Sequence, residues 1–271
     1  MIFWCGCLAA MCQEPLPLLT PQQMPNPIRF LPPPPDTASA AFEYDKAQYR
    51  WGKEQRLDSV RLAIAVRDAD WSITCICREF SEPFGMTISK EATPAIYQLL
   101  YVALISTDQV GKLPKDYYRR TRPYVYYGEP TIYSRDEEEL RYNGSYPSGH
   151  TIEGWSAALV LMELNPERAD TILARGYMYG ESRVIAGYHW QSDVDAGRLA
   201  ASAAIARLHA DKRFQRLMRK ARREYRRLSG RVFVLDTTGF AAGGACTLVW
   251  RHILRLRAWY NLHRVQMVCR R

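Results

Sequence analysis

Two of the five histidines keep company that suits the chemistry of an oxyanion. His189 lies six residues after Arg183 and four before Asp193, and His150 closes Pro147-Ser148-Gly149-His150 directly before the helical run Thr151 to Leu164. Upstream, Lys115 precedes Arg122-Pro123 by seven positions. Lys115, Arg122 and Arg183 are donors that stay positive and can hold anionic oxygens. Ser148, Gly149 and His150 would present backbone N–H groups at a helix N-terminus, and the glycine lets the backbone come close. His189 is a nucleophile once a carboxylate, Asp193, fixes its tautomer. His150 is available as general acid for a leaving oxygen.

Each element alone has a plainer reading. A His and an Asp at i, i+4 make a surface pair on a helix face. A Pro-Ser-Gly-His tetrapeptide is a turn with a serine cap. A Lys and an Arg seven apart sit on a solvated helix. Together they fill every role that transfer of an anionic group demands. The same two histidines and aspartate could instead form a facial triad for iron. Three converging cations would repel a divalent metal, so no metal and no cofactor is expected.

The elements that must position these residues read as helices. The chain has 271 residues, 47% hydrophobic and 24% charged, enough for one core without disulfide or metal staples. Its longest apolar run, about a dozen residues, is short of the ~20 that a membrane span needs. After Asp36, residues 40–68 are helical in texture, and 90–109 carry one apolar stripe of Ile96, Leu99, Leu100, Ala103 and Leu104. Ser89 and Thr93 both qualify as its cap, the latter with Pro94 at the first helical position. Further helices are expected at 70–82, 150–164, 167–180, 189–209 and 211–228. The fold class is all-α, a helical bundle. Residues 128–146 read as a long loop whose acidic run, Asp136 to Glu139, is a solvated face.

The ends differ from this body. Nine of the 16 prolines fall in residues 1–35, which read as a leader followed by a proline-rich arm wrapped over the domain. Met1 to Cys12 resemble the apolar region of an export signal, yet the first positive charge is Arg29. Residues 212–271 hold 16 Lys and Arg against Glu224 and Asp236, a net +14, leaving a net −5 in residues 1–211. That asymmetry argues against a nucleic-acid-binding body and leaves a basic tail, 229–271, able to touch anions. Among the seven cysteines, Cys75 and Cys77 are spaced for neither a mutual bridge nor a zinc knuckle, and most are read as buried or incidental thiols.

Lys115-x6-Arg122-Pro123, Pro147-Ser148-Gly149-His150 and Ser182-Arg183-x5-His189-x3-Asp193 resemble the three-part signature of the phosphatidic acid phosphatase type 2 superfamily, which includes vanadium haloperoxidases. Eleven identities in order, each met by chance at roughly 5–7% from background composition, make coincidence implausible. Leu31 to Pro35, then Phe42, Asp45, Tyr49 and Gly52, then Gly144-Ser145-Tyr146, resemble the bacterial class A nonspecific acid phosphatases. The resemblance covers roughly residues 30–228 and implies a periplasmic or secreted, all-helical enzyme.

It also implies hydrolysis of phosphate monoesters through a phosphohistidine. Catalytic roles fall to His189, His150 and Asp193, and phosphate binding to Lys115, Arg122, Ser148, Gly149 and Arg183. The catalytic domain would span 36–228. Small phosphate esters are the expected partners. Whether nucleotides are among them stays open, as does homo-oligomer formation; Tyr117, Tyr118, Tyr124, Tyr126 and Tyr127 either stack on an aromatic leaving group or simply pack. The alternatives are a vanadate-dependent haloperoxidase, usually a longer chain, and an anion- or membrane-surface-binding protein acting through the tail.

Overall fold

A computed structural model of the protein describes residues 15–235. The proposed leader before residue 15, most of the basic tail, and Cys5, Cys7, Cys12, Cys246 and Cys269 lie outside the described residues. Within them the fold is all-α: eleven α-helices with short 3₁₀ turns and no strand. No helix among the described residues is long and apolar enough to cross a membrane.

The helical texture of 40–68 resolves into α1 (Ala40–Gln55) and α2 (Ser59–Arg67). Asp58 separates them, because its side chain accepts the Val60 and Arg61 N–H groups and starts a new helix. α3 (Ile73–Phe84) follows, capped by Ser72 and closed by Gly85 in the left-handed region. α4 (Pro94–Thr107) begins at Pro94, which makes Thr93 the cap residue by position. Ser89 organises a separate turn, accepting from the Glu91 and Ala92 N–H groups. The apolar stripe of α4 is fully inside: Ile96, Leu99, Leu100 and Ala103 are 0% exposed.

Three short helices, α5 (Lys112–Tyr118), α6 (Pro123–Tyr127) and α7 (Glu137–Leu140), lead to the long ones. These are α8 (Gly149–Leu164), α9 (Ala169–Ala186), α10 (Gln191–His209) and α11 (Lys212–Leu235). α8 lies at the centre, packed against α4, α9 and α10. The core between them is built from such residues as Phe80, Phe84, Ile152, Leu161 and Phe214. α9 runs six residues beyond its expected end at 180 and so carries Arg183 on a helix. α11 runs past residue 228, seven residues into the segment set off as a tail.

α1 earns its place in the resemblance by packing. Phe42, Asp45, Tyr49 and Gly52 are its buried residues. A Cβ on Gly52 would stand 2.9 Å from the Val184 carbonyl oxygen, so only glycine lets α1 approach α9 this closely. The described part of the arm also belongs to the body. Leu19 and Met24 enter the main core, and the Leu18 N–H donates to Ser106 Oγ at 2.9 Å. Cys75 and Cys77 are free, buried thiols, pushed up by burial to about 11 and about 12.

Candidate active site

A cavity of about 840 Å³ opens where α5, the 128–146 loop, the start of α8 and the α9–α10 turn meet. Lys115, Arg122, Gly149, His150 and His189 line it. Ser148, Arg183 and Asp193 are buried behind them, at 0%, 2% and 0% exposure. The structure therefore brings together residues that lie up to 78 positions apart in the chain.

Ser148 is the N-cap of α8, its Oγ accepting from the Thr151 N–H. The helix begins at Gly149, so the first backbone N–H groups have no carbonyl a turn earlier to meet. The serine cap and the anion-facing helix start are one and the same feature. Gly144 must be glycine for a similar reason: a Cβ there would lie 2.5 Å from the Lys115 carbonyl oxygen. That close approach lets Lys115 Nζ donate to the Gly144 carbonyl at 3.0 Å. Burial first, and Arg122 second, push the Lys115 ammonium down to about 7.

His189 does not sit on α10, contrary to the helix expected over 189–209. α10 starts at Gln191, and Asp193 in its first turn accepts the Trp190 N–H at 2.9 Å. Asp193 thus caps the helix, and this capping turn brings its Oδ2 to 3.4 Å from His189 Nδ1 without hydrogen-bond alignment. Arg122 Nη1 stands 3.1 Å from His189 Nε2. A guanidinium can only donate, so Nε2 holds a lone pair and Nδ1 the proton. Burial, then Arg122, Lys115 and Arg183, hold His189 well below its ordinary range.

His150 Nε2 lies 3.2 Å from the Ala69 carbonyl, which only a protonated nitrogen can use; Nδ1 is then its basic nitrogen. Burial and then Arg183 hold His150 well below its ordinary range too. Arg183 is the most telling member. Its Nε and Nη1 are buried without a hydrogen-bond partner, a costly state for a charged donor. Its guanidinium rests on the Tyr188 ring, 4.6 Å from the centroid.

Arg120 is a residue that the motif reading missed. It donates to Asp193 Oδ1, to Ser192 Oγ at 2.7 Å and to Asp45 Oδ2 at 2.7 Å. Asp45 also accepts the Ser192 N–H at 2.8 Å. Asp45 and Asp193 are wholly buried, so Arg120 bridges two carboxylates at once and fixes the one beside His189. Ser182 of the third motif is structural: its hydroxyl donates to Asp68 Oδ2 at 2.6 Å and accepts from Arg61 at 3.0 Å.

The 128–146 loop is a wall of the cavity rather than a detached solvated face. Asp136 and Glu139 line it, while Glu137 accepts from the Thr131 N–H and hydroxyl. None of the five tyrosines lines it, and Tyr117 and Tyr126 are exposed. Tyr126 and Tyr127 lie against Trp190, Tyr124 against Tyr188, and Tyr117 and Tyr118 against each other. The aromatic residues on the cavity wall are Trp71 and Tyr142. Among the described residues no group of three or more His, Cys, Asp or Glu side chains converges to hold a metal, so the facial triad is not assembled.

The chain is similar to known proteins over most of its length. Residues 95–216 match the PAP2 superfamily. A non-specific acid phosphatase of Providencia stuartii is 45% identical over 202 residues, 74% of this chain and 81% of that protein. The chain belongs to the PAP2 superfamily, among the bacterial non-specific acid phosphatases. A non-specific acid phosphatase of Salmonella typhimurium is 43% identical over 209 residues, 77% of this chain and 83% of its own length. An acid phosphatase of Zymomonas mobilis is 39% identical over 200 residues, 73% of this chain and 75% of its own length. The cavity of this acid phosphatase lies inside the matched span, apart from Trp71.

Proposed function

We propose that the chain hydrolyses phosphate monoesters by double displacement. The observation that carries this is the pair of buried, unpartnered Arg183 donors beside an unprotonated His189 Nε2. A phosphoryl group supplies the missing acceptors. Arg183, Arg122 and Lys115 hold its oxygens, with Ser148 and the Gly149 backbone, and their hold tightens as charge builds in the transition state. Nε2 of His189 attacks phosphorus, the ester P–O bond breaks, and His150 gives its proton to the departing alkoxide. His150 then takes a proton from water, which attacks phosphorus, breaks the P–N bond and releases phosphate. Asp193 stabilises the imidazolium formed in between.

On the same resemblance we place the enzyme in the periplasm or outside the cell. We take residues 36–228 as its catalytic domain, with the basic tail as an appendage that gathers anionic substrates. The test of the chemistry is hydrolysis of an aryl phosphate in excess chelator. Full activity is expected, with inhibition by vanadate as a mimic of five-coordinate phosphorus; loss of activity restored by iron or zinc would refute the reading.

The pH dependence has a definite sign. His189 must be neutral to attack, which its burial ensures. His150 must be protonated to donate, yet in the free protein it is held neutral until acid pH. A bound dianion offsets the same cations and raises it. The profile of kcat/KM reports the free enzyme and that of kcat the complex. Both are expected to fall as pH rises, kcat at a pH about one unit or more above kcat/KM, with the optimum on the acid side of 6.5. Superimposed alkaline limbs would remove His150 as the acid.

A further inference from the structure

One buried acid in the cavity has no part in the chemistry above. Glu153 is four residues beyond Gly149 on α8, so it stands on the same helix face one turn deeper. It is 9% exposed, it lines the cavity, and its Oε2 is buried with no hydrogen-bond partner. Across from the helix start, Asp108 Oδ1 comes within 3.8 Å of where a Gly149 Cβ would be. Asp108 is already paired with Lys112 at 2.6 Å. The phosphate cradle is therefore continued by an ion pair that is self-neutralised and by a carboxyl that is not satisfied.

We infer that Glu153, with Asp108 beside it, forms a leaving-group subsite that selects phosphate esters of hydroxyl-bearing alcohols. The reading rests on the phosphatase function proposed above. An unsatisfied buried polar atom is costly, and a ligand group that completes it is favoured by that cost. Burial first, and Asp108 second, raise the Glu153 carboxyl well above the usual range, so on the acid side it is neutral. A neutral carboxyl both donates and accepts, as a hydroxyl does. It has no net charge to draw an ammonium group, and Asp108 is already matched by Lys112. An alkyl leaving group offers Oε2 no partner.

The test is steady-state kinetics on glycerol phosphate and n-propyl phosphate, which differ by two hydroxyls. The unaltered chain is expected to prefer glycerol phosphate about tenfold in kcat/KM, the worth of one well-made hydrogen bond. Glu153→Gln, which keeps a donor and an acceptor, should retain most of that preference. Glu153→Leu should lose it through a raised KM for glycerol phosphate. Equal kcat/KM for the two esters in the unaltered chain overturns the subsite without needing any variant to fold. So does an undiminished preference in Glu153→Leu. Failure to hydrolyse either ester would overturn the phosphatase reading itself, a different outcome from equal rates.

Discussion

Replacing His189 by Asn is expected to lower kcat by about four orders of magnitude or more while leaving the fold intact. The size follows from losing the nucleophile of a covalent mechanism. The intact fold follows from the surroundings. Asp193 keeps Arg120 and the Trp190 N–H, so no buried carboxylate is orphaned. The measurement is single-turnover kinetics with a radiolabelled aryl phosphate, with circular dichroism to check folding. More than about 1% residual turnover would sink His189 as nucleophile, by the same arithmetic. The partner variant His150→Asn should behave differently. An aryl leaving group needs little protonation, so the phosphoenzyme forms; without a base for water it accumulates, and label stays on the protein.

Arg120→Leu should produce the largest loss of stability. It leaves Asp45 and Asp193, both wholly buried, without their cation. Breaking such a pair costs about 3–5 kcal/mol. For a chain of this size that is roughly a 10 °C fall in the unfolding midpoint. Thermal unfolding followed by circular dichroism checks it. Adding Asp45→Asn should recover part of the loss by removing one orphaned charge. A midpoint within about 2 °C of the parent would show that solvent or another donor replaces Arg120.

What the sequence displays best is what chemistry demands in one place. Lys115, Arg122, Ser148, Gly149, His150, Arg183, His189 and Asp193 were legible as a set because the chemistry proposed for them leaves few other residue types to choose from, and all lie in or just behind one cavity. The buried stripe of α4 was legible through its period. Arg120 was not. It sits in Arg119-Arg120-Thr121-Arg122, where nothing local marks which side chain turns inward. The turn is made by Arg119, whose φ of 43° ends α5 in the left-handed region, and the partner, Asp45, is 75 residues away. Glu153 lay hidden for another reason. An acid in the first turns of an apolar helix reads as its wet face until the packing of α8 shows that this helix is buried nearly all round. His189 and Asp193 are near each other, but not on one helix face: i, i+4 spacing also arises where a loop residue meets the capping acid of the next helix.

The proline run gives the active site a ruler. Tyr146, directly before Pro147-Ser148, donates its hydroxyl to the Pro32 carbonyl at 2.6 Å, and Pro33 to Pro35 lead from there towards α1, whose second turn carries Asp45. A polyproline stretch is stiff and advances about 3.1 Å per residue. It therefore sets a nearly fixed spacing between the loop that leads into α8 and the carboxylate that, through Arg120, steadies Asp193. Adding or removing one proline changes that length by about 3 Å. Such a change would be felt at His189, although none of the prolines lines the cavity.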